Sequence, residues 1–548
     1  MKCIRMLLAL SLATFLTSAA VQAQWPSPCG DQGTWHSLTF DPYHNGLNLS
    51  AMESPYLLTD GRVMVQYVGT DPGAHQWQDW WTLTPDSSGS YINSTNWNQM
   101  ASLYHLWPDD EYAPYGNASD VLADGRLLIQ GGENNLGFHH VFSKEGAIYT
   151  PDSGMGSWAQ LQPPGTGSSQ WTCVGDAQSV ILPDTNKTYM VAGCLDDDGQ
   201  QALLNPSTMQ WTILDDSNKL GSNSEEGYTL LPGFNANILT IDIGKTSGSY
   251  HYELFDSVLH TWTNYTMPFG LSGDFPSEGE IGPAIQLLDG TVFATGAATG
   301  GNTSQQPVPG KTGIYQPPPT NSWRLMPPSP SFPTDGSGYP LGLGDEMAVL
   351  LPDGNVLMSA HNTAKPGSYY FLEYQPSPTN AMCSISGAPS ALINAPSSAI
   401  EMLLLPTGDV FITQFNQDNP SNGYYIYSPP PTTYSSTIRP SITAAAISLT
   451  RGTTYTLNGK RFSGVSQGSQ YGDDFQNFTN YPIVRFTYSG GSPVVYLKTH
   501  DHSTMAISTG NTQTTTQVDI PSGLATGTGT LVVIANGIPS LPVAATIN

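Results

Sequence analysis

A hairpin phrase recurs along the chain and limits the folds open to it more than any other feature. Each copy has an apolar strand, a tight turn and a second apolar strand. Several of the turns contain Asp-Gly, which supplies the positive φ that a two-residue hairpin requires. The copies span residues 54–69, 119–132, 177–193, 226–242, 282–296, 346–360 and 401–413.

Two further strands follow most of these hairpins. The third strand ends near a proline, as in WWTLTPD and FLEYQPS, and the fourth often opens with tryptophan. Four strands per unit with an outer tryptophan are typical of a kelch-type propeller blade, whose apolar faces must stack on neighbouring blades in a closed ring. The tryptophans concerned are Trp97, Trp158, Trp211, Trp262 and Trp323.

The sequence indicates how the ring closes. The seventh hairpin runs through YIYSPPP into Arg439-Pro440 without a tryptophan strand of its own, whereas an unattached one, GTWHSLTF, occupies 33–40. We therefore expect the N-terminal strand to complete blade seven of a ring at 24–438. Alternating strands at 439–548 predict an immunoglobulin-like sandwich. The predicted fold is all-β: a seven-bladed kelch-type β-propeller followed by an immunoglobulin-like β-sandwich.

The first 23 residues have the features of a secretory signal peptide. Lys2 and Arg5 precede a short apolar run, and Val21-Gln22-Ala23 offers small residues for cleavage. No later run approaches the ~20 apolar residues of a membrane span, so we expect a secreted protein, or a periplasmic or cell-surface one in a bacterium.

Four cysteines remain after removal of the signal peptide, and an even number in an exported chain favours disulfides. Cys173 and Cys194 flank one hairpin, which favours a bridge between them and leaves Cys29 and Cys383 as the second pair.

Charge narrows the function. The chain has 43 Asp and Glu against 17 Lys and Arg, a net charge of −26, which excludes the clustered bases that nucleic acid requires. Acids recur where each blade begins, either as acceptors for backbone N–H groups or as a site for a divalent metal ion. The candidate ligands are Glu53, Asp176 and Glu226 with the imidazoles of His500 and His502, and the candidate acid–base residues are Glu280, Asp345, Glu346 and Glu401.

Aromatic residues crowd the first two units. Sugar rings stack on exposed aromatic faces while polar neighbours bind the hydroxyl groups. The candidates for such a platform are Trp77, Trp107, Tyr112 and Tyr115.

The organisation of the chain resembles the galactose oxidase and glyoxal oxidase group. The RPSIT opening, the THDHSTM loop and the VVIANGIPS strand are similar to the early-set domain of those copper oxidases. The resemblance implies a metal site on the ring axis, and it places His500 where that family has its last histidine ligand. Ser398-Ala399 stand where the family has a Tyr-His pair, and neither side chain ligates copper. Copper-radical chemistry is therefore disfavoured.

Three functions follow. The first is the binding of an extracellular glycan or cell-wall polymer by a monomer. The second is a metal-dependent oxidoreductase with a rebuilt site around His500. The third is a carbohydrate lyase or hydrolase that uses paired axial carboxylates as acid and base.

Overall fold

The structure is a computed structural model, and it describes most of the chain. The described residues are 26–40, 52–68, 75, 77–107, 112–135, 142–174, 178–194, 200–214, 218–220, 226–242, 250–271, 281–296, 310–326, 332–344, 346–362, 369–376, 378–394, 400–414, 423–444, 446–471 and 475–548. The predicted signal peptide, Asp176, Glu280, Asp345 and the side chain of Glu53 lie outside them.

Seven antiparallel sheets succeed one another along the described chain. In order they contain β2 to β5; β7, β8, β10 and β11; β12 to β15; β16 to β19; β20 to β23; β24 to β27; and β28 to β30 with β1. The strands are β1 (Thr34–Leu38), β2 (Met52–Leu57), β3 (Val63–Tyr67), β4 (Asp79–Thr84), β5 (Asn96–Gln99), β6 (Pro114–Tyr115), β7 (Ala118–Val121), β8 (Leu127–Gln130), β9 (Asn134–Asn135), β10 (Gly146–Thr150), β11 (Ser157–Leu161), β12 (Ser179–Ile181), β13 (Tyr189–Ala192), β14 (Gln201–Asn205), β15 (Gln210–Ile213), β16 (Thr229–Leu230), β17 (Ile238–Ile241), β18 (Tyr250–Asp256), β19 (Thr261–Met267), β20 (Ile281–Gln286), β21 (Val292–Gly296), β22 (Thr312–Gln316), β23 (Ser322–Leu325), β24 (Ala348–Leu350), β25 (Val356–His361), β26 (Tyr369–Gln375), β27 (Ala381–Ser384), β28 (Ile400–Leu404), β29 (Val410–Gln414) and β30 (Gly423–Ser428).

Burial explains the sequence of each sheet. The second strands, such as β3 and β29, are buried at every position, because each sheet is covered on both faces by its neighbours. Their sequences are accordingly apolar runs rather than alternating patterns. The predicted positive φ is present in the turns, at +81° for Gly61 and +83° for Gly125. Helix is confined, among the described residues, to α1 (Ser390–Ile393) and two 3-10 turns, Leu103–His105 and Gly167–Ser169.

The sheets are arranged as a β-propeller. First strands of neighbouring sheets contact each other in five places: β7 with β12, β16 with β20, β20 with β24, β24 with β28, and β2 of the first sheet with β28 of the seventh. The N-terminal strand β1 pairs with β30, from Thr34 opposite Ser428 to Leu38 opposite Tyr424, which is the pairing that the unattached tryptophan strand predicts. Both ends of the ring-forming segment therefore meet in the seventh sheet.

Outer-strand tryptophans join four of the seven sheets to the sheet before them through the same contact. The indole Nε1 donates to a backbone carbonyl just past the outer strand of the preceding sheet, at 2.7–3.2 Å. This contact explains why the fourth strand opens with tryptophan: the ring is large enough to cross to the neighbouring sheet, and its N–H finds a partner there. The pairs are Trp35 with Ser386, Trp97 with Thr39, Trp158 with Ala101, and Trp211 with Gln162.

Residues from 441 onward, called the C-terminal unit below, form two further sheets around a separate apolar core. One sheet has the order β31-β33-β38-β37, and the other has β32-β41-β39-β35-β36 with β40 on β39. Strand β34 leaves both and joins β24 in the sixth sheet of the ring. The strands are β31 (Ser441–Ile442), β32 (Ala446–Leu449), β33 (Thr453–Lys460), β34 (Ser469–Gln470), β35 (Ile483–Tyr488), β36 (Val494–Leu497), β37 (Thr499–His500), β38 (Gln513–Ile520), β39 (Gly527–Ala535), β40 (Ile538–Pro539) and β41 (Val543–Ile547).

Both predicted disulfides are confirmed. Cys173 bonds to Cys194, and Cys29 bonds to Cys383. The second bridge fixes the N-terminal segment to the outer strand of the sixth sheet, where the Cys29 N–H also donates to Ser384 at 3.0 Å. Within the described ranges no helix combines the length and apolarity needed to cross a bilayer.

Candidate functional site

The C-terminal unit covers one end of the ring, the end that carries the hairpin turns. Two backbone hydrogen bonds join the ring to the C-terminal unit at this end. The Gly233 N–H donates to the Ile507 carbonyl at 2.9 Å, and the His502 N–H donates to the Ala123 carbonyl at 2.9 Å. In a hairpin, the start of the first strand and the end of the second lie opposite the turn. We call this opposite end of the ring the distal end.

A polar segment of the C-terminal unit fills the centre of the ring. This plug segment comprises 466–471 and 475–481. Its amides bond to the free edges of first strands: Leu230 donates to Gln467 at 2.8 Å, and Asn477 donates to Met402 at 2.9 Å. Strand β34 pairs with β24 directly. Since an unpaired strand edge needs hydrogen-bond partners, the plug segment supplies what seven converging first strands lack.

The two histidines predicted to reach the ring axis from the C-terminal unit bond instead to side chains of that unit. His500 has Nδ1 2.9 Å from Asp501 and Nε2 3.1 Å from Asp519. His502 is buried with Nδ1 2.9 Å from Thr516, and burial lowers its pKa to about 3. The segment that does enter the ring has the sequence SQGSQY and FQNFTNY, and its glutamines and asparagines were the available signal.

Glu226, predicted as a metal ligand, has an internal cation. Lys219 Nζ lies 2.9 Å from Glu226 Oε2 and 2.9 Å from Glu253 Oε2, and all three side chains are fully buried. Thr240 also donates to Glu226 at 3.0 Å. Burial lowers the pKa of Lys219, but the two carboxylates more than offset this and the net shift is upward. An ammonium group therefore occupies the position that the acids predicted for a metal.

One further cluster has metal-like spacing within the described part of the chain. It consists of Cys29, Cys383 and Glu373. Both sulfur atoms belong to the disulfide, so neither is a thiolate ligand. The metal expectation thus has no ligand set among the side chains that the structure describes.

Asp120 links sheets and plug segment. It is buried in β7 and accepts a hydrogen bond from Ser179 at 3.0 Å. The same Ser179 hydroxyl oxygen lies 2.9 Å from Gln476 Oε1 of the plug segment, so its single hydrogen is shared between these two acceptors. Burial raises the pKa of Asp120 well above its ordinary value, and its hydrogen bond joins the second and third sheets. For this residue the interpretation as a tie between blades applies.

Glu346 and His361 form a pair at the distal end of the sixth sheet. Glu346 is buried just before β24, and the Gly344 N–H donates to its Oε2 at 2.6 Å. His361 ends β25, and its Nδ1 lies against Glu346 Oε1. The imidazole keeps a 15% exposed side chain. Sequence reasoning missed His361, although antiparallel pairing of β24 and β25 brings the end of one strand beside the start of the other.

Glu401 begins the neighbouring inner strand, β28, at the same end of the ring. Its carboxyl is buried and accepts a backbone hydrogen bond from Ser54. Burial raises its pKa to about 8, so it stays mainly protonated at neutral pH. A carboxyl group with a raised pKa on β28 and a buried carboxyl group in contact with an imidazole just before β24 are side chains suited to acid and base roles.

The raised pKa of Glu401 predicts a pH-dependent stability. Because the folded pKa of about 8 exceeds the ordinary 4.5, the folded protein holds a proton that the unfolded chain loses between these values, so this contribution falls as pH rises from 4.5 to 8. In Glu401→Gln it should be absent. Thermal midpoints of both proteins at intervals across this range would show converging or crossing curves, whereas parallel curves would contradict the assignment.

The distal end also contains buried polar atoms without hydrogen-bond partners. They lie where first strands begin or second strands end, and buried polar groups of this kind ordinarily bond to water or ligand. Amides and hydroxyls prevail among them. They are Ser54 Oγ, Asn117 Nδ2, both amide atoms of Gln130 and Gln178, Ser359 Oγ and Gln414 Oε1.

The predicted aromatic platform is wrong, because its rings are buried. Trp77 and Tyr115 pack edge to face at 5.4 Å in a small apolar cluster. Trp107 contacts Tyr112, whose hydroxyl donates to the Gly131 carbonyl at 3.1 Å. These rings fill the space between the first two sheets, where burial of their large apolar area stabilises the ring. None of the four has a face free for a sugar.

No protein-family model matches the chain, and no curated protein matches it. Among solved structures, it is similar to a mutant of the alpha-L-arabinofuranosidase arb93a of Fusarium graminearum in complex with an iminosugar inhibitor, at 12% identity and a TM-score of 0.37, over 59% of this chain and 95% of that one. The Fusarium graminearum alpha-L-arabinofuranosidase with arabinobiose gives 11% identity and a TM-score of 0.36, over 57% and 92%. The β-propeller domain of the Trilobed protease of Pyrococcus furiosus gives 8% and 0.35, over 69% and 93%. At these values the likeness carries no argument about substrate or site.

Proposed function

We propose that this chain is an exported seven-bladed kelch-type propeller with a C-terminal early-set, immunoglobulin-like domain, and that its distal end binds an extracellular glycan. The observation that carries this proposal is the set of buried amides and hydroxyls at that end. Sugar hydroxyls donate and accept hydrogen bonds, so they complement such groups. The plug segment enters the ring from the end that carries the hairpin turns, so we place ligand entry at the distal end.

The charge of the protein narrows the ligand class. The net charge of −26 repels polyanions such as pectate or teichoic acid at long range. Glu346, Glu401 and the amides of Gln130 and Gln414 bring acceptors and donors to the distal end, and the Lys219 ammonium there is held between Glu226 and Glu253. We therefore propose a neutral, hydroxyl-rich polymer as the ligand.

Glycan cleavage is the second candidate, favoured by the presence of the Glu346–His361 pair and of Glu401 at the same end of the ring. In this scheme Glu401 protonates the leaving oxygen, and Glu346, oriented by His361, acts as base or nucleophile. The chemistry needs no group beyond these side chains and water. His361 is a positioning residue in this proposal, since it acts through Glu346.

A single assay series tests both functions. Wild type, Glu401→Gln and Glu346→Gln are incubated with neutral and anionic polysaccharides, and retention and new reducing ends are measured together. We expect retention on neutral polymers only. Cleavage predicts reducing ends that fall by about 100-fold or more in either variant, in line with the 10²–10⁴-fold contribution of general acid–base catalysis.

The outcomes separate the two candidates. Retention without reducing ends in wild type supports binding alone. Stronger retention on anionic than on neutral polymers would contradict the ligand class. Variants that unfold are recognised by their thermal midpoints, and His361→Gln serves as the milder variant, because it should alter the pH profile of cleavage while leaving retention in place.

A further inference from the structure

The hairpin turns of the first two sheets hold a guanidinium group in a repeated arrangement. Arg62 Nη2 lies 2.7 Å from the Asp60 carboxylate and donates to the Asp152 carbonyl at 3.1 Å. That carbonyl belongs to the outer turn of the next sheet, so the arginine bridges two sheets. The second sheet repeats this with Asp124, Arg126 and the Pro206 carbonyl of the third sheet, at 2.6 and 3.0 Å.

The fifth sheet has the same turn without the arginine. Its sequence is Asp289-Gly290-Thr291, so Thr291 stands where Arg62 and Arg126 stand. Thr291 bonds to Asp289 Oδ1 through its own N–H and hydroxyl, at 3.0 and 2.6 Å. A groove of about 470 Å³ lies beside this turn, between the fifth and sixth sheets. This volume is within the range of small-ligand sites.

The groove presents the carboxylate of the acceptor set that binds guanidinium elsewhere in the ring, namely Asp289. Pro376 of the sixth sheet's outer turn corresponds to Pro206 of the third, but its carbonyl already accepts from the Thr379 hydroxyl at 3.1 Å and the Asn380 N–H at 3.4 Å. Asp353 adds a second carboxylate from the opposite wall. Leu288 and Pro376 provide apolar walls against which the methylene stem of an arginine packs. Among the described residues that line it, none is a lysine or an arginine.

We propose that this groove is a docking site for an arginine side chain of a partner protein. Two carboxylates and apolar walls in one groove favour guanidinium, which is planar, weakly hydrated and able to bond to several acceptors at once. The adjoining groove of the seventh sheet is smaller, about 80 Å³, and the guanidinium of Arg439 lies 5.2 Å from the ring of Tyr434 in its wall. The docking site is therefore confined to the groove between the fifth and sixth sheets. It is independent of the proposed glycan site at the distal end.

The sequence repeat provides a sharp test. The probe is the peptide acetyl-Gly-Arg-Gly-amide, titrated into the full-length protein by NMR or calorimetry, with the citrulline peptide as its uncharged isostere. Asp289→Asn should weaken binding about tenfold, since charge-assisted hydrogen bonds are the stronger kind. Thr291→Arg should abolish binding, because it places the protein's own guanidinium in the groove as in the first two sheets. Thr291→Gln, similar in length but neutral, should retain binding.

The proposal also predicts that Thr291→Arg does not lower the stability of the protein. Thr291→Arg should have a thermal midpoint at or above that of wild type, because its side chain repeats the Arg62 contacts. Equal binding of the citrulline peptide would overturn the proposal, as would full binding by Thr291→Arg. Displacement of the arginine peptide by calcium or spermidine at equal concentration would identify a general cation site and overturn the choice of arginine. Absence of binding up to about 10 mM would overturn it as well, since even weak side-chain sites are filled at that concentration.

Discussion

Replacing Lys219 with methionine is expected to lower the free energy of unfolding by about 3–5 kcal/mol. The ammonium group is fully buried between Glu226 and Glu253 and also lies 5.2 Å from the ring of Trp262. Its removal leaves two carboxyl groups together in an apolar interior without a cation. Methionine keeps the length of the side chain, so the loss would report charge rather than volume.

A triple variant provides the control for this prediction. Lys219→Met combined with Glu226→Gln and Glu253→Gln removes all charge, and it should recover most of the lost stability, since replacing a whole buried ion cluster is often neutral. Denaturant midpoints and slopes for the three proteins would measure the difference. An equally severe loss in the triple variant would show that shape at this site, not charge pairing, stabilises the fourth sheet.

Removing the Cys29–Cys383 bridge is expected to produce the second large effect. The two cysteines are 354 residues apart, against 21 for Cys173 and Cys194. In the chain-entropy model a disulfide that closes a longer loop stabilises the folded protein more, by about 3 kcal/mol for a 15-residue loop and about 4.7 kcal/mol for a 100-residue loop. The long bridge also fixes the segment that supplies β1 to the seventh sheet. Its loss should lower stability more than loss of the short one.

The comparison within one chain makes this prediction testable. Cys29→Ala with Cys383→Ala, and Cys173→Ala with Cys194→Ala, are measured by thermal unfolding beside wild type. The first pair should lower the midpoint by the larger amount and raise susceptibility to proteolysis near residues 34–38, where β1 would leave β30. A larger loss from the second pair would contradict the role of the long bridge in closing the ring.

Local signals in the sequence were sufficient for most of the ring. Each hairpin is specified by neighbouring residues, namely apolar runs around a turn such as Asp60-Gly61, and hairpins therefore appear in the sequence as a phrase. The closing strand was predictable because Trp35 stands in a strand with no hairpin of its own. The disulfides followed from cysteine number and the position of Cys173 and Cys194.

The site was much less accessible to sequence reasoning, because its contacts join distant residues. The plug segment has no periodic signal, and only its partners, such as Met402 and Leu230, show what its amides bind. Glu226 has the sequence context of a metal ligand. The ammonium group of Lys219, on the connection between the third and fourth sheets, occupies the position where a metal ion was predicted. The prediction of exposed aromatic rings in the first two units is wrong because a loop position, as at Trp107, does not show whether a side chain is buried.

The pairing of β1 with β30 has a consequence for the order of folding. The Gly33 N–H donates to the Tyr427 hydroxyl across 394 residues, so the first strand of the chain waits for the last sheet before it acquires a partner. Contacts of such long range form late, since the intervening chain must first be ordered. The six other sheets can assemble as an open arc, and a single late event then converts the arc into a ring. Until that event β1 and the edge of β30 are both exposed, which makes the last step the one most open to mispairing between molecules.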